Sequence, residues 1–330
     1  MKTLISGAAG FIGSAVLRRL LAAGHDVRAV ILPQSDHRNL VGLPVEIVYG
    51  DITDRRSIDR AMAGCSVVFH VAGDYRLWIP KPDEVYQNNV AGTRNVMLAA
   101  IEAGIERVVY TSSVATLGSN PDGSPADEET RASLRDMIGH YKRSKFMAEA
   151  EVKRLADEQG LPVVIVNPSA PLGPRDIKPT PTGRIIVDAV SGRMPAYVDT
   201  GLNVVHVDDV GAGHLLALER GKVGDRYILG GTNMTLKEIL CVIASLTGQP
   251  LPRIRLPHSF AFSVACLSEV WASLVSKKEP RATLIGVRLA RKKMFFSIEK
   301  ARRVLGFNPR PAEEALRDAI GWFRENGYLC

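Results

Sequence analysis

The sequence predicts an α/β fold, a parallel sheet doubly wound by helices and followed by a smaller lobe, and three observations predict it. Short apolar runs alternate with helix-spaced ones through the first half. A glycine turn, Gly7-Ala8-Ala9-Gly10-Phe11-Ile12-Gly13, joins the first strand to the first helix. After Asn167-Pro168 the pattern changes, and Pro171, Pro174, Pro179 and Pro181 interrupt regular structure.

Residues 2–6 (K-T-L-I-S) read as a short buried strand and 14–23 carry the apolar spacing of a helix. Between them Gly7 permits a tight turn, Gly10 lets backbone approach a pyrophosphate, and Gly13 lets the helix pack close to the sheet. The N–H groups around Phe11 and Ile12, at the helix start, then face the phosphates. The spacing is G-x-x-G-x-x-G, so the flanking strand and helix carry the assignment. Further strands are expected at 26–31, 45–48, 66–71, 107–111 and 162–166, with helices at 84–103 and from Tyr141 to about 158. The loop at 117–130, rich in Gly, Pro, Ser and Asp, is expected over the crevice at the carboxyl ends of the strands. Residues 1–170 therefore form a Rossmann-type dinucleotide-binding domain. Residues 171–330 are mainly a substrate lobe, with about 203–220 returning to the main sheet as a strand and helix.

Composition narrows the class. The chain has 330 residues, 46% hydrophobic and 23% charged, as an ordinary globular protein does. Its formal charge of +7 comes without a concentrated basic run, so no nucleic-acid partner is expected. Cys65, Cys241, Cys266 and Cys330 lack C-x-x-C spacing, which predicts no metal site and a reducing, cytoplasmic setting. The sequence opens directly on a strand, and no export signal is expected. Residues 259–275 form one apolar stretch, interrupted by Glu269 and short for a bilayer span. It reads as a core helix or a lid over an apolar substrate; a surface-lying helix followed by Lys277 and Lys278 would give weak peripheral membrane contact.

Chemistry enters with Tyr141 and Lys145, four residues apart in H-Y-K-R-S-K. Residues at that spacing share one helix face, so the ammonium is expected beside the phenol, favouring its ionised form. An unassisted phenol, with a pKa of about 10, is a sluggish acid–base catalyst at neutral pH. Together with the glycine turn, the pair predicts a nicotinamide-dependent oxidoreductase.

The glycine turn, Thr111-Ser112-Ser113, the Tyr141/Lys145 pair and Asn167-Pro168 resemble the extended short-chain dehydrogenase/reductase superfamily over nearly the whole chain. D-Y-R-L-W at 74–78, S-S-V-A-T-L-G at 112–118 and G-H-Y-K-R-S-K at 139–145 resemble its dihydroflavonol-4-reductase-like branch. The stretches at 167–188, 195–210 and 292–297 resemble bacterial hopanoid-associated sugar epimerases. The resemblance implies that Ser113 bonds the substrate oxygen, with Ser112 as rival, that Tyr141 moves the proton, and that Lys145 also holds ribose hydroxyls. Asn89 would support a proton-relay water, or simply bond a neighbouring loop. Asp51 and Ile52 would meet the adenine, and Val71, Ala72 and Gly73 would line the cofactor, with Gly73 replacing a commoner alanine. Asn167 and Pro168 complete the cofactor set. Tyr75, Arg76, Trp78, Arg184 and Tyr197 are candidate substrate contacts, with Arg175 and Lys178 beside them.

The second strand ends Ala29-Val30-Ile31-Leu32-Pro33 without the acid that usually bonds free ribose hydroxyls. Ser35, His37 and Arg38 follow and suit a 2'-phosphate, although Leu32 stands where relatives often carry arginine. NADP(H) is the expected cofactor, with NAD(H) as the other candidate. The expected activity is NADPH-dependent reduction of an aldehyde or ketone on an apolar molecule, a hopanoid side-chain intermediate being one such target. The alternatives are an NAD-dependent nucleotide-sugar epimerase or dehydratase, and a redox-sensing cofactor-binding protein without turnover. The substrate is then apolar or sugar-derived, and the enzyme a monomer or a homodimer.

Overall fold

The computed structural model describes residues 2–79, 81–250, 252, 254–272, 274, 280 and 283–329. Its centre is a seven-stranded parallel sheet. In chain order the first six strands are β1 (Lys2–Ser6), β2 (Asp26–Ile31), β3 (Glu46–Tyr49), β4 (Val67–His70), β5 (Arg107–Thr111) and β6 (Val163–Pro168). They lie in the order β6-β5-β4-β1-β2-β3, and the chain reverses direction between β1 and β4. A crevice forms at the carboxyl ends of strands where such an order reverses. β4 and β6 are buried along their whole length, as expected of strands covered on both faces.

Helices cover both faces. On one, Ile5, Leu17, Val109, Val166 and Leu229 share a core cluster; on the other, Leu4, Met97, Tyr110, Val152 and Ile165 share a second. The helix α1 (Phe11–Ala22) lies on the first face. The helical run expected at 84–103 is continuous from Pro82 to Glu102 but contains one π-type turn, Gln87–Ala91, which holds Asn89. Such turns recur at functional sites. The long helix carrying Tyr141 spans Gly139–Gln159 and ends at Gly160 in the left-handed conformation.

The strand expected to rejoin the main sheet at the start of the 203–220 stretch does not do so. Gly201–His206 pairs instead with Ala170–Leu172, Thr232–Thr235 and Lys293–Met294 in a separate small sheet. The seventh main-sheet strand is Arg226–Leu229, paired in parallel with β6. The helix after the small-sheet strand, Val207–Arg220, does return, burying Val210 and Ala217 in the first core cluster. The apolar run at 203–207 cannot distinguish the two sheets, because full burial in either selects the same side chains. The lobe has its own core, built around Ile186, Leu240, Leu316 and Phe323.

The 117–130 loop is tied at one point to the lobe and at another to the main sheet. The 117–130 loop bridges to the lobe through Ala126, whose N–H donates to the Phe295 carbonyl (2.9 Å) and whose carbonyl accepts from Ser297 (2.8 Å). Buried Glu128 accepts from the Ile228 N–H (2.8 Å), fixing the far end of the loop on the sheet edge.

Candidate active site

The glycine turn is shaped by contact. Gly7 has φ +76°, and a Cβ there would lie 2.6 Å from the Ala72 nitrogen; a Cβ on Gly13 would lie 2.0 Å from the Gly7 oxygen. Neither position accepts a side chain. Gly10 caps α1 without a side-chain hydrogen bond, so the first N–H groups of the helix point outward for an external acceptor. Ser6 pins the opposite wall: its carbonyl accepts from the Val71 N–H (3.2 Å) and its hydroxyl from the Ala72 N–H (3.3 Å). A cavity of about 150 Å³ opens here, lined by Gly10, Phe11, Ser35, Asp36, Tyr75 and Lys178. At the end of β6, buried Asn167 Oδ1 and Ser169 Oγ have no partner among the described residues. A turn closed to side chains, an uncapped helix start and unpartnered buried polar atoms together fit a dinucleotide.

The other cofactor candidates fall into two groups. Val71, Ala72 and Gly73 face this crevice, and a Cβ on Gly73 would stand 3.5 Å from Asn89 Oδ1 and 3.7 Å from Lys145 Nζ, so the commoner alanine would fit. Asp51 uses its carboxylate within its own turn, accepting from the Thr53 N–H and hydroxyl, both at 2.8 Å. The Ile52 carbonyl accepts from Asn95 (3.0 Å). Asn167 anchors the Ser113 loop, donating to the Ser113 carbonyl (3.0 Å) and to Glu149 (3.0 Å), and Pro168 is buried beside it. Arg38 is exposed and forms a two-pronged pair with Asp36 (2.7 Å at the closest), which holds the Asp36 carboxyl down at about 2. Asp36 itself, an acid that the end of β2 does not announce, lines the cavity. His37 stacks on Tyr49.

Ser113 follows β5, its hydroxyl accepting from the Ala115 N–H (3.1 Å); burial pushes the Tyr141 phenol up, and the Ser113 hydroxyl acts the other way. Lys145 is buried, and its ammonium donates to the Thr111 carbonyl (2.8 Å) and to the Tyr110 hydroxyl (3.4 Å). Burial draws it down to about 8, opposed by the charge of Glu149. The expectation that Lys145 lowers the phenol is therefore not met here: the strand-end carbonyl is the better acceptor for a buried ammonium, and the phenol is left to its own desolvation.

Ser112, the rival of Ser113, is committed elsewhere. It donates to Glu149 (2.5 Å), which also accepts from Thr116 (2.8 Å), Asn167, Lys153 (2.7 Å) and Arg226 (3.1 Å). Burial pushes the Glu149 carboxyl up, but Lys153, Ser112 and Arg226 together bring it down to about 2. Asn89 is committed as well. It accepts from the Asp74 N–H (2.7 Å) and donates to the Asp74 carbonyl (2.8 Å) and the Ser144 hydroxyl (2.9 Å). Its side chain positions the 73–76 loop against the Tyr141 helix, the plainer of its two expected roles.

The substrate candidates do not converge on one place. Tyr75 lies at the glycine-turn cavity, its hydroxyl donating to the Lys178 carbonyl (3.4 Å), and burial pushes it up to about 12. Arg76 is neutralised by Asp74 (2.6 Å) and Glu84 (3.4 Å). Trp78 is half-buried in the same loop. Arg184 acts electrostatically on Tyr75 and Asp176 and donates to the Pro179 carbonyl (3.2 Å). Tyr197 packs against the lobe core, on Ala196–Val198, which pairs with Ile254–Leu256.

The chain and its fold are matched in known proteins. The family model described as the NAD dependent epimerase/dehydratase family matches residues 3–230. The chain belongs to this family. It is 44% identical to the "Putative dihydroflavonol 4-reductase" of Synechocystis sp., covering 98% of this chain and 95% of that protein. It is 38% identical to the sterol demethylase protein B of Methylococcus capsulatus, over the full length of both. Among solved structures, a nucleoside-diphosphate-sugar epimerase from Pseudomonas aeruginosa superposes with a TM-score of 0.83 at 30% identity, over 100% of this chain and 99% of that one. The protein is thus an NAD(P)-dependent oxidoreductase of the extended short-chain type, in its dihydroflavonol-4-reductase-like branch.

Proposed function

We propose that this family member is an NADPH-dependent reductase that converts an aldehyde or ketone on an apolar molecule to the alcohol. The observation that supports the reading is the Ser113 hydroxyl acting on the Tyr141 phenol, which burial pushes up. A protonated phenol is a donor, which suits reduction. When bound, the nicotinamide supplies the hydride. Ser113 and Tyr141 orient the carbonyl oxygen between two hydroxyls, and Tyr141 gives that oxygen its proton. Lys145, fixed on the Thr111 carbonyl, holds ribose hydroxyls; Asn89 and Asn167 hold the two loops that frame the pair. Reductase names among the relatives support the direction.

Cofactor choice turns on Arg38 and Asp36. For Arg38 to meet a 2'-phosphate its guanidinium must leave Asp36, after which that phosphate replaces the carboxylate as partner. NADPH is expected to bind more tightly than NADH in a fluorescence titration, and Arg38→Ala to narrow the gap by about tenfold, the scale of one charge-assisted hydrogen bond. Equal affinities for both cofactors would refute the preference. They would favour the second reading, an NAD-dependent nucleotide-sugar epimerase or dehydratase, for which Asp36 in the cavity would serve free ribose hydroxyls.

The helix His258–Trp271 supports an apolar substrate and a weak membrane contact. One face packs Ala261 and Ala265 against Val287, and Glu269 accepts from the Leu284 N–H (2.7 Å), which removes its charge from the other face. The other face exposes Phe260, Val264, Leu267, Trp271 and, beyond the helix, Leu274. Leu267 is 73% exposed and Trp271 63%, so this is not the core helix its composition allows. Such a stripe suits the surface of a bilayer holding a water-insoluble substrate, although no described helix is long and apolar enough to cross one. Lys277 and Lys278 lie outside the described residues. Trp271→Glu is expected to weaken co-sedimentation with anionic vesicles while leaving NADPH binding intact. A wild-type protein that ignores vesicles at low salt would end the membrane proposal.

A further inference from the structure

A second cavity, again of about 150 Å³, is lined from the Ser113 loop, the start of the Tyr141 helix and the 289–296 segment. Val114 and Lys142, the chain neighbours of Ser113 and Tyr141, both line it. Its wall is apolar at Leu117, Ile138 and Leu289, yet it also gathers four cations, Arg131, Lys142, Lys292 and Lys293. Asp136 is its single carboxylate, and that group is occupied by the Ser133 N–H (2.8 Å) and hydroxyl (2.7 Å). Lys142 is half-buried and has no hydrogen bond or ion pair among the described residues. Burial and the charge of Lys292 draw its ammonium down to about 8. Lys292 also acts on the Asp136 carboxylate, so the cavity holds one carboxylate against four cations. Like charges over an apolar wall raise each other's free energy, and an anion placed between Lys142 and Lys292 relieves the repulsion and supplies the Lys142 ammonium with an acceptor.

We propose that this cavity is an anion subsite, in which Lys142 and Lys292 bind a carboxylate or phosphate carried by the apolar substrate whose carbonyl lies at Ser113 and Tyr141. The proposal deepens the reductase reading and rests on it for the carbonyl end alone. It limits the substrate class to apolar molecules with an acidic group close to the reacting carbon. A neutral aldehyde would leave the Lys142 ammonium unmatched.

Binding can be measured without turnover, by calorimetric titration of the purified full chain with nonanoate, nonyl phosphate and nonanamide. The wild type is expected to bind at least one of the two anions about tenfold or more tighter than the amide, the scale of a charge-assisted hydrogen bond. The tighter anion identifies the group. Lys142→Gln with Lys292→Gln should remove that advantage, and Lys292→Arg alone should retain most of it. Thermal melting checks that each variant is folded; if the double variant is not, Lys292→Gln by itself should still lose several-fold. Equal binding of anions and amide by the wild type, or unaltered anion binding by a folded glutamine variant, would overturn the subsite. Failure of the reductase reading would appear elsewhere, as absence of NADPH oxidation with any carbonyl compound.

Discussion

Tyr141→Phe is expected to lower turnover by about 10²-fold or more while leaving NADPH affinity nearly unchanged, because general acid catalysis typically contributes that much. The substitution removes the hydroxyl and retains the ring, so the packing of the Gly139–Gln159 helix survives. The loss should fall on kcat more than on KM, since proton delivery strengthens as charge develops on the substrate oxygen. Lys145→Ala should damage both turnover and cofactor binding, because the ammonium fixed at the Thr111 carbonyl is the group proposed to hold the ribose. Steady-state kinetics with NADPH and a carbonyl substrate make the measurement, and wild-type turnover in Tyr141→Phe would remove the phenol from the mechanism.

Glu149→Ala is expected to cost about 3 kcal/mol or more of folding stability, toward the lower end of the range for breaking a buried ion pair because Lys153 and Arg226 keep some solvent contact. The carboxylate is 3% exposed. Without it, Ser112, Thr116 and Asn167 lose their shared acceptor, and Arg226 loses its hold on the sheet edge. The pH dependence has a definite sign. The folded carboxyl lies at about 2, below its ordinary 4.5. Its contribution is therefore fully present above the ordinary value and is lost as pH falls toward 2. Denaturant melts of wild type and Glu149→Ala should converge over that acid range; a variant as stable as wild type at neutral pH would show that the network contributes nothing.

Much of the cofactor half was legible in the sequence because its geometry is local. Gly7 and Gly13 are fixed by neighbours within a few residues or by the strand directly alongside, and an apolar run bounded by turns gives the strand order a place to start. The Ser112/Ser113 choice was not legible, since both follow the same strand and only Glu149, far along the chain, separates them. Glu149 did carry a signal: it stands four residues after Lys145 and eight after Tyr141, on the inward face of one helix. Asp36 escaped notice because the expected acid belongs at the end of β2, while this one reaches the turn from the following loop. The small-sheet strand at Gly201–His206 shows the same limit, as burial fixes its composition but pairing partners fix its sheet. The positions of Tyr75, Arg76, Trp78, Arg184 and Tyr197 relative to one another were not legible, because long-range packing that spacing cannot encode places them.

The most direct test of a reductase in this family is the cofactor that leaves the enzyme. A reductase exchanges its dinucleotide at every turnover, whereas an epimerase recycles hydride on a dinucleotide it keeps. Purified protein, dialysed and then denatured, is expected to release far less than one equivalent of dinucleotide, and the dialysed protein to consume NADPH stoichiometrically with the carbonyl it reduces. Release of a full equivalent of NAD from the denatured chain, with no net NADPH consumption, would contradict the account.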